Sequence, residues 1–146
     1  MAVDVMTEIE IDRPVATVAA FSSDPGNAPA WYVNIQSVAW RTAPTVQVGA
    51  QVDFVAQFLG RRLAYTYEIV DWEPGARLTM RTADGPFPME TTYTWTPTRA
   101  GGTHMTLRNR GQPAGFSRVT APLMVLAMRR ANQNDLRRLK ALLEAR

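Results

Sequence analysis

Apolar and polar residues alternate along most of this chain. Val3, Val5, Thr7, Ile9 and Ile11 alternate with Asp4, Met6, Glu8 and Glu10, the signature of a half-buried strand. Asp12-Arg13-Pro14 ends it: Asp12 is suited to cap a helix and Pro14 to a first helical turn. A short helix over 15–22 then turns Val18 and Phe21 inward. Asp24-Pro25-Gly26 reverses the chain, and a second helical segment over 27–33 is anchored by Trp31. Strands are predicted next over 35–42, 50–59, 62–72, 77–82, 89–96 and 103–111, separated by turn-forming residues. Val52, Phe54, Ala56 and Phe58 share one face of the second of these. The tight turn after it is centred on Gly60-Arg61. Leu63, Tyr65, Tyr67 and Ile69 share a face, whereas Val70 and Trp72 fall on the other, which predicts a bulge near Ile69. Leu78 and Met80, then Met89, Thr91, Tyr93 and Trp95, and finally Thr103, Met105, Leu107 and Asn109 make up the later inward sets.

After Gly115 the period changes. Leu136, Leu139 and Leu143 recur at helical spacing, and the same stripe traced back passes Asn132, Met128 and Val125, with Arg130, Arg137 and Arg138 largely off it. The expectation is one amphipathic helix from about residue 118 to 144. Residues 122–128 are apolar all round, so this part must be buried, face a cavity or meet a partner. Pro122 belongs in the first turn or marks a kink. The element order is β-α-α-β-β-β-β-β-β-α. Short connections make the last six strands an antiparallel meander, and the first closes the sheet against the seventh or the second. The fold class is α+β: a twisted, concave seven-stranded antiparallel sheet with a long C-terminal helix across it and two short helices after strand one.

Composition narrows the function classes. The 146 residues suit a single domain spanning 1–146 with a real core. With no cysteine, a disulfide framework, a Cys-ligated zinc and a thiol nucleophile are excluded, and the composition suits a reducing, cytoplasmic setting. The alternating acidic start is not expected to be a signal peptide, and no apolar run approaches a membrane span. The net charge of +3 is modest; Arg129-Arg130 and Arg137-Arg138 read as a solvated helix face, and no nucleic-acid partner is expected. The single histidine, His104, alternates onto the convex face, so neither a metal nor another cofactor is expected. No Ser-His-Asp set, phosphate loop or nucleotide fingerprint occurs.

Ile11-Asp12-Arg13-Pro14 followed by Val18, Phe21, Asp24-Pro25 and Trp31, then Trp72-Glu73-Pro74, Gly102-Thr103, Asp135-Leu136, Leu139-Lys140 and Leu143-Glu144, resemble the START-like superfamily, which includes polyketide cyclases/dehydrases, lipid-transfer START domains and birch-pollen allergens. The likeness covers essentially the whole chain. It implies the helix-grip fold, a curved sheet gripping a long C-terminal helix with a cavity between them, and binding or transformation of hydrophobic small molecules. The family has no universal catalytic motif, so the resemblance assigns no catalytic residue.

The inward positions define what a ligand would meet: Phe54, Phe58, Met80, Leu107, Met124 and Met128 as apolar wall, with Tyr65, Tyr67, Tyr93, Trp95, Asn109 and Asn132 as groups carrying a polar tip. Apolar walls with few convergent polar groups are how small-molecule sites are built. A buried amide such as Asn132 has to be satisfied by protein, water or ligand. Glu68, Glu90 and Asp53 alternate outward and Asp71 lies at a strand end, so acid–base work would fall to tyrosines, or to Arg81 if the register slips by one. Three readings stay open. The first is a monomer or homodimer binding a hydrophobic, ring-containing molecule. The second is an aromatase/cyclase-type enzyme acting on a poly-β-keto chain. The third is a ligand-free interaction module that docks a partner on the apolar half of the long helix.

Overall fold

The computed structural model describes residues 3–112 and 121–146. Strands β1 (Val3–Ile11), β2 (Ile35–Trp40), β3 (Gln51–Phe58), β4 (Arg61–Glu73), β5 (Arg77–Asp84), β6 (Met89–Pro97) and β7 (Thr103–Gly111) form one antiparallel sheet in the order β1-β7-β6-β5-β4-β3-β2. Between β1 and β2 lie helix α1 (Val15–Ser23), a 3-10 turn (Pro25–Asn27) and the single helical turn α2 (Ala28–Trp31). Helix α3 (Ala121–Glu144) follows the sheet. The sheet curls into a half-barrel around α3, giving a helix-grip fold. The predicted helical residues 118–120 lie outside the described residues.

Alternation produces this sheet because every second side chain of a strand must leave water. In β1 the odd positions are buried, save a half-buried Ile9, and the even ones are exposed; a one-residue slip would expose that whole set. Of the two closures open to it, β1 takes β7, with Val3 opposite Gly111 and Ile11 opposite Thr103. The bulge expected near Ile69 is present: Ile69 pairs with Met80 and Asp71 with Thr79, leaving Val70 as the extra residue. A second shift, between Thr66 and Tyr67, leaves Ala83 unpaired on β5. The β3–β4 turn is centred one residue earlier than expected, on Leu59-Gly60, since Phe58 and Arg61 pair across it. Both central residues have positive φ, 49° and 78°, the twist a two-residue hairpin turn demands.

The sequence markers explain how the helix is gripped. Asp12 does not cap α1 through its side chain; Pro14 occupies the N-cap position, and the carbonyl of Pro14 accepts from the Thr17 and Val18 amides. The Asp12 N–H instead donates to the Glu144 carboxylate at 2.9 Å. Arg13 donates to the carbonyls of Glu144 and Arg146, supplying partners to carbonyls that a helix end leaves open. Lys140 Nζ reaches the Glu10 carbonyl at 2.7 Å. Gly102 is required by close approach, because a Cβ there would stand 2.7 Å from the Ile11 carbonyl oxygen. The second short helix stops at Trp31 rather than reaching Val33, and Phe21 packs against the edge of the core, half-buried, with the Arg146 guanidinium over its ring.

The core has two parts. The larger packs Leu136, Leu139 and Leu143 of α3 with Val18, Trp31, Val52, Leu78, Met105 and Leu107. The smaller joins Met124 to Val3, Val5, Leu63 and Phe87. The apolar segment 122–128 is therefore not enclosed on every side: Met124 is buried, whereas Leu123 and Leu126 are 57% and 62% exposed. None of the described helices is long and apolar enough to cross a membrane.

Candidate functional site

A cavity of about 160 Å³ opens between α3 and the concave face of the sheet, bordered by members of both core clusters. Met124, Met128, Ala131 and Asn132 form its wall on the helix side. Flexible methionines suit such a wall because they fill irregular space without fixing its shape.

The structure brings most of the predicted residues onto this wall. Phe54 and Phe58 come from β3, Tyr65 and Tyr67 from β4, Met80 from β5, Tyr93 from β6, Asn109 from β7, and Met124, Met128 and Asn132 from α3. Trp95 and Leu107 are not brought there. Both face inward as their parity requires, but at a level where the sheet is covered by other elements. Trp95 Nε1 donates to Ser22 Oγ of α1 at 3.0 Å, and Leu107 is fully buried in the larger cluster. Parity selects a face of a strand; it does not select a position along it.

The wall also holds residues that alternation did not single out. Tyr32 enters from the end of α2, Phe87 from the β5–β6 loop, Ser22 and Ser23 from α1, and Asp135 from α3. All four tyrosines of the chain thus face one cavity. Phe54, Tyr65 and Tyr67 form a ring cluster with centroids 5.0 to 5.8 Å apart. Tyr93 packs against Trp31, at 5.7 Å, and Trp95, at 6.0 Å.

Polar tips on this wall are partly paired. Thr91 Oγ1 donates to Asn109 Oδ1 at 2.6 Å, so the Tyr67 hydroxyl, 2.8 Å from Thr91 Oγ1, must be the donor in that contact. The Tyr32 and Tyr93 hydroxyls bond each other. Asn132 is buried, and its Nδ2 has no hydrogen-bond partner among the described residues. No sheet carbonyl therefore satisfies this amide. Burial pushes the Tyr67 phenol up to about 12, with the Thr91 bond acting the other way. Burial likewise raises Tyr32, Tyr65 and Tyr93, so all four phenols are neutral at physiological pH.

Asp135 adds an inward carboxylate that the outward alternation of Glu68, Glu90 and Asp53 did not indicate. It is 2% exposed. Its Oδ1 accepts the Val33 amide at 2.9 Å, tying α3 to the segment after α2. Burial pushes its carboxyl up to about 6, against the opposing pull of the Val33 N–H and Arg138. Asp71 and Arg81, by contrast, serve exposed pairs with Arg77 and Glu90, and neither faces the cavity. His104 stays on the convex face beside Glu8 at 3.4 Å. Among the described residues no group of His, Asp or Glu is arranged to hold a metal ion.

The sequence matches the polyketide cyclase/dehydrase and lipid transport family over residues 2–144. No curated protein matches it. Solved structures resemble it along nearly the whole chain. A Thermus thermophilus protein superposes with TM-score 0.82 at 18% identity, covering 98% of both chains. A START superfamily protein from Mycobacterium smegmatis gives 0.79 at 13% identity, covering 97% of both. The Zhui aromatase/cyclase from a Streptomyces species gives 0.78 at 15% identity, covering 97% of this chain and 93% of that one. At these identities the likeness carries the fold alone.

Proposed function

The chain belongs to the polyketide cyclase/dehydrase and lipid transport family, and on that premise we propose that it binds a hydrophobic, ring-containing small molecule in the cavity between sheet and α3. The observation that carries this reading is the cavity itself: about 160 Å³ of space walled by aromatic and methionine side chains. An apolar protein cavity of about 150 Å³ takes up benzene, so a single substituted ring is the natural occupant, with any longer tail extending toward the mouth. The apolar walls supply most of the affinity, and the tyrosine hydroxyls with Asn109 and Asn132 orient the ring's polar substituent. A core collapsed on its own aromatics would have favoured a ligand-free interaction module; the space between Met128 and the tyrosines speaks against that.

A second reading, an aromatase/cyclase-type enzyme, is favoured by Asp135. A carboxyl on the cavity wall whose pKa stands near 6 is poised to take and return a proton near neutral pH, and the fixed wall would align a folded chain for ring closure.

Calorimetric titration with p-xylene tests the binding reading. Saturable uptake by the natural protein is expected, together with its loss in a Met128→Trp variant that keeps its far-UV dichroism. Binding that survives Met128→Trp unchanged places the site elsewhere.

A further inference from the structure

The polar groups on the α3 side of the cavity are matched in a way the apolar walls do not require. Asn132 and Asp135 sit one turn apart on the same helix face, a spacing that makes their side chains neighbours, and both border the cavity. Asn132 brings a buried amide whose Nδ2 has no partner among the described residues. Asp135 brings a carboxylate whose Oδ1 accepts the Val33 amide, and a carboxylate has more acceptor sites than that one bond uses. One is an unused donor and the other an acceptor with capacity to spare. Leaving a buried donor such as the Asn132 amide without a partner costs free energy that an apolar residue there would avoid.

We propose that Asn132 and Asp135 form a recognition pair for a hydroxyl group on a neutral ring ligand, the hydroxyl oxygen accepting from the Asn132 amide while its hydrogen is donated to Asp135 Oδ2. The proposal rests on the reading of the cavity as a ring-binding site and adds the chemical class of its ligand, a phenol or similar ring alcohol. A hydroxyl is the smallest group that donates and accepts at once, and a half-turn of the Asn132 amide presents either of its ends. A purely hydrocarbon ring leaves the Asn132 amide without a partner, and an ionised carboxylate ligand would be repelled by Asp135.

Around Asp135 the other groups agree with this polarity. Arg138 on the same helix favours its ionised form, the Val33 N–H donates to it from the segment after α2, and the neutral phenols of Tyr32 and Tyr93 face it from α2 and β6. Among the described residues the cation that acts on Asp135 is Arg138 of its own helix rather than a group of the sheet, so a neutral donor is the partner the pocket can host.

p-Cresol and p-xylene test the pair, because they differ only by a hydroxyl in place of a methyl of nearly equal size. Affinities are measured by calorimetry on the natural protein, Asn132→Leu and Asp135→Asn. The natural protein is expected to prefer p-cresol by about tenfold. Asn132→Leu should abolish that preference while holding p-xylene at least as well. Asp135→Asn, which can retain the Val33 bond, should reduce the preference without loss of fold. Lowering the pH from about 8 to about 5 should weaken p-cresol and leave p-xylene unchanged, as the carboxylate acceptor is protonated. Equal affinity for the two probes in the natural protein, or a p-cresol preference that persists in both variants, overturns the recognition pair and leaves the ring-binding reading intact. Failure of both probes to bind overturns both.

Discussion

Asp135→Asn isolates the energetic consequence of burying a carboxyl beside an apolar cavity. In the unfolded chain this group titrates near 3.8, and in the fold burial lifts it to about 6. The folded state therefore binds the proton more tightly, and the associated stability is fully present below pH 3.8 and lost as the pH rises through about 6. Each pH unit between the two values is worth about 1.4 kcal/mol, so the ionised carboxylate costs on the order of 3 kcal/mol at neutral pH. Asparagine has nearly the same shape, keeps an oxygen for the Val33 amide and does not ionise. Urea unfolding of both proteins at a series of pH values gives the difference in stability at each. That difference should move in favour of Asp135→Asn by on the order of 3 kcal/mol between about pH 4 and about pH 7, whatever constant offset the substitution adds through packing. A difference flat over that window would falsify the assignment of a raised pKa to this residue.

Three further outcomes follow from the packing. Leu139 is fully buried, so Leu139→Ala should cost about 2–5 kcal/mol in chemical denaturation, against about 0–1 kcal/mol for the exposed Arg138→Ala; equal losses would contradict the helix face. All four phenols are raised by burial, so stability should fall as the pH climbs above about 10, and tyrosinate absorbance should appear only together with loss of dichroism rather than before it. Leu59 sits at φ 49° and is 47% exposed, so Leu59→Asn should raise the thermal midpoint through about 0.5–1 kcal/mol of relieved backbone strain; a lower midpoint would show that Leu59 packs usefully.

The sheet was legible because alternation is a direct record of which side of a strand meets water, and β1, β3 and β7 keep that record without interruption. The helix was legible from Leu136, Leu139 and Leu143. Asp135 went unread as an inward residue although its spacing points there: it lies three residues after Asn132 and four before Leu139, on the same stripe. A carboxylate is seldom fully buried, so spacing alone does not mark such a position as inward. Trp95 and Leu107 lie off the cavity wall although their parity is right, because α1 and the core cluster around the terminal leucines of α3 cover the sheet at their level. Tyr32 and Phe87 come from a short turn and a loop, where no period exists to read. The β3–β4 turn was displaced by one residue because the expectation gave the glycine the first central position, whereas Leu59 takes it despite its side chain.

Helix α3 is continuous in geometry and divided in cohesion. Its last turns bury Leu136, Leu139 and Leu143 and are clasped by Asp12 and Arg13, so they can be released only when the sheet itself comes apart. Its first two turns bury Met124 and leave Leu123 and Leu126 in water, and the free energy needed to lift such a stretch scales with the little apolar area it hides. Partial opening at that end is thus expected to be far cheaper than unfolding, and it happens directly above the cavity. On the proposed reading, a bulky ligand would gain passage there without the architecture being dismantled. Once inside, by touching Met124 and Met128 on one side and the strand aromatics on the other, it would supply the cohesion those turns lack, so occupancy and rigidity of this end of the helix would rise together.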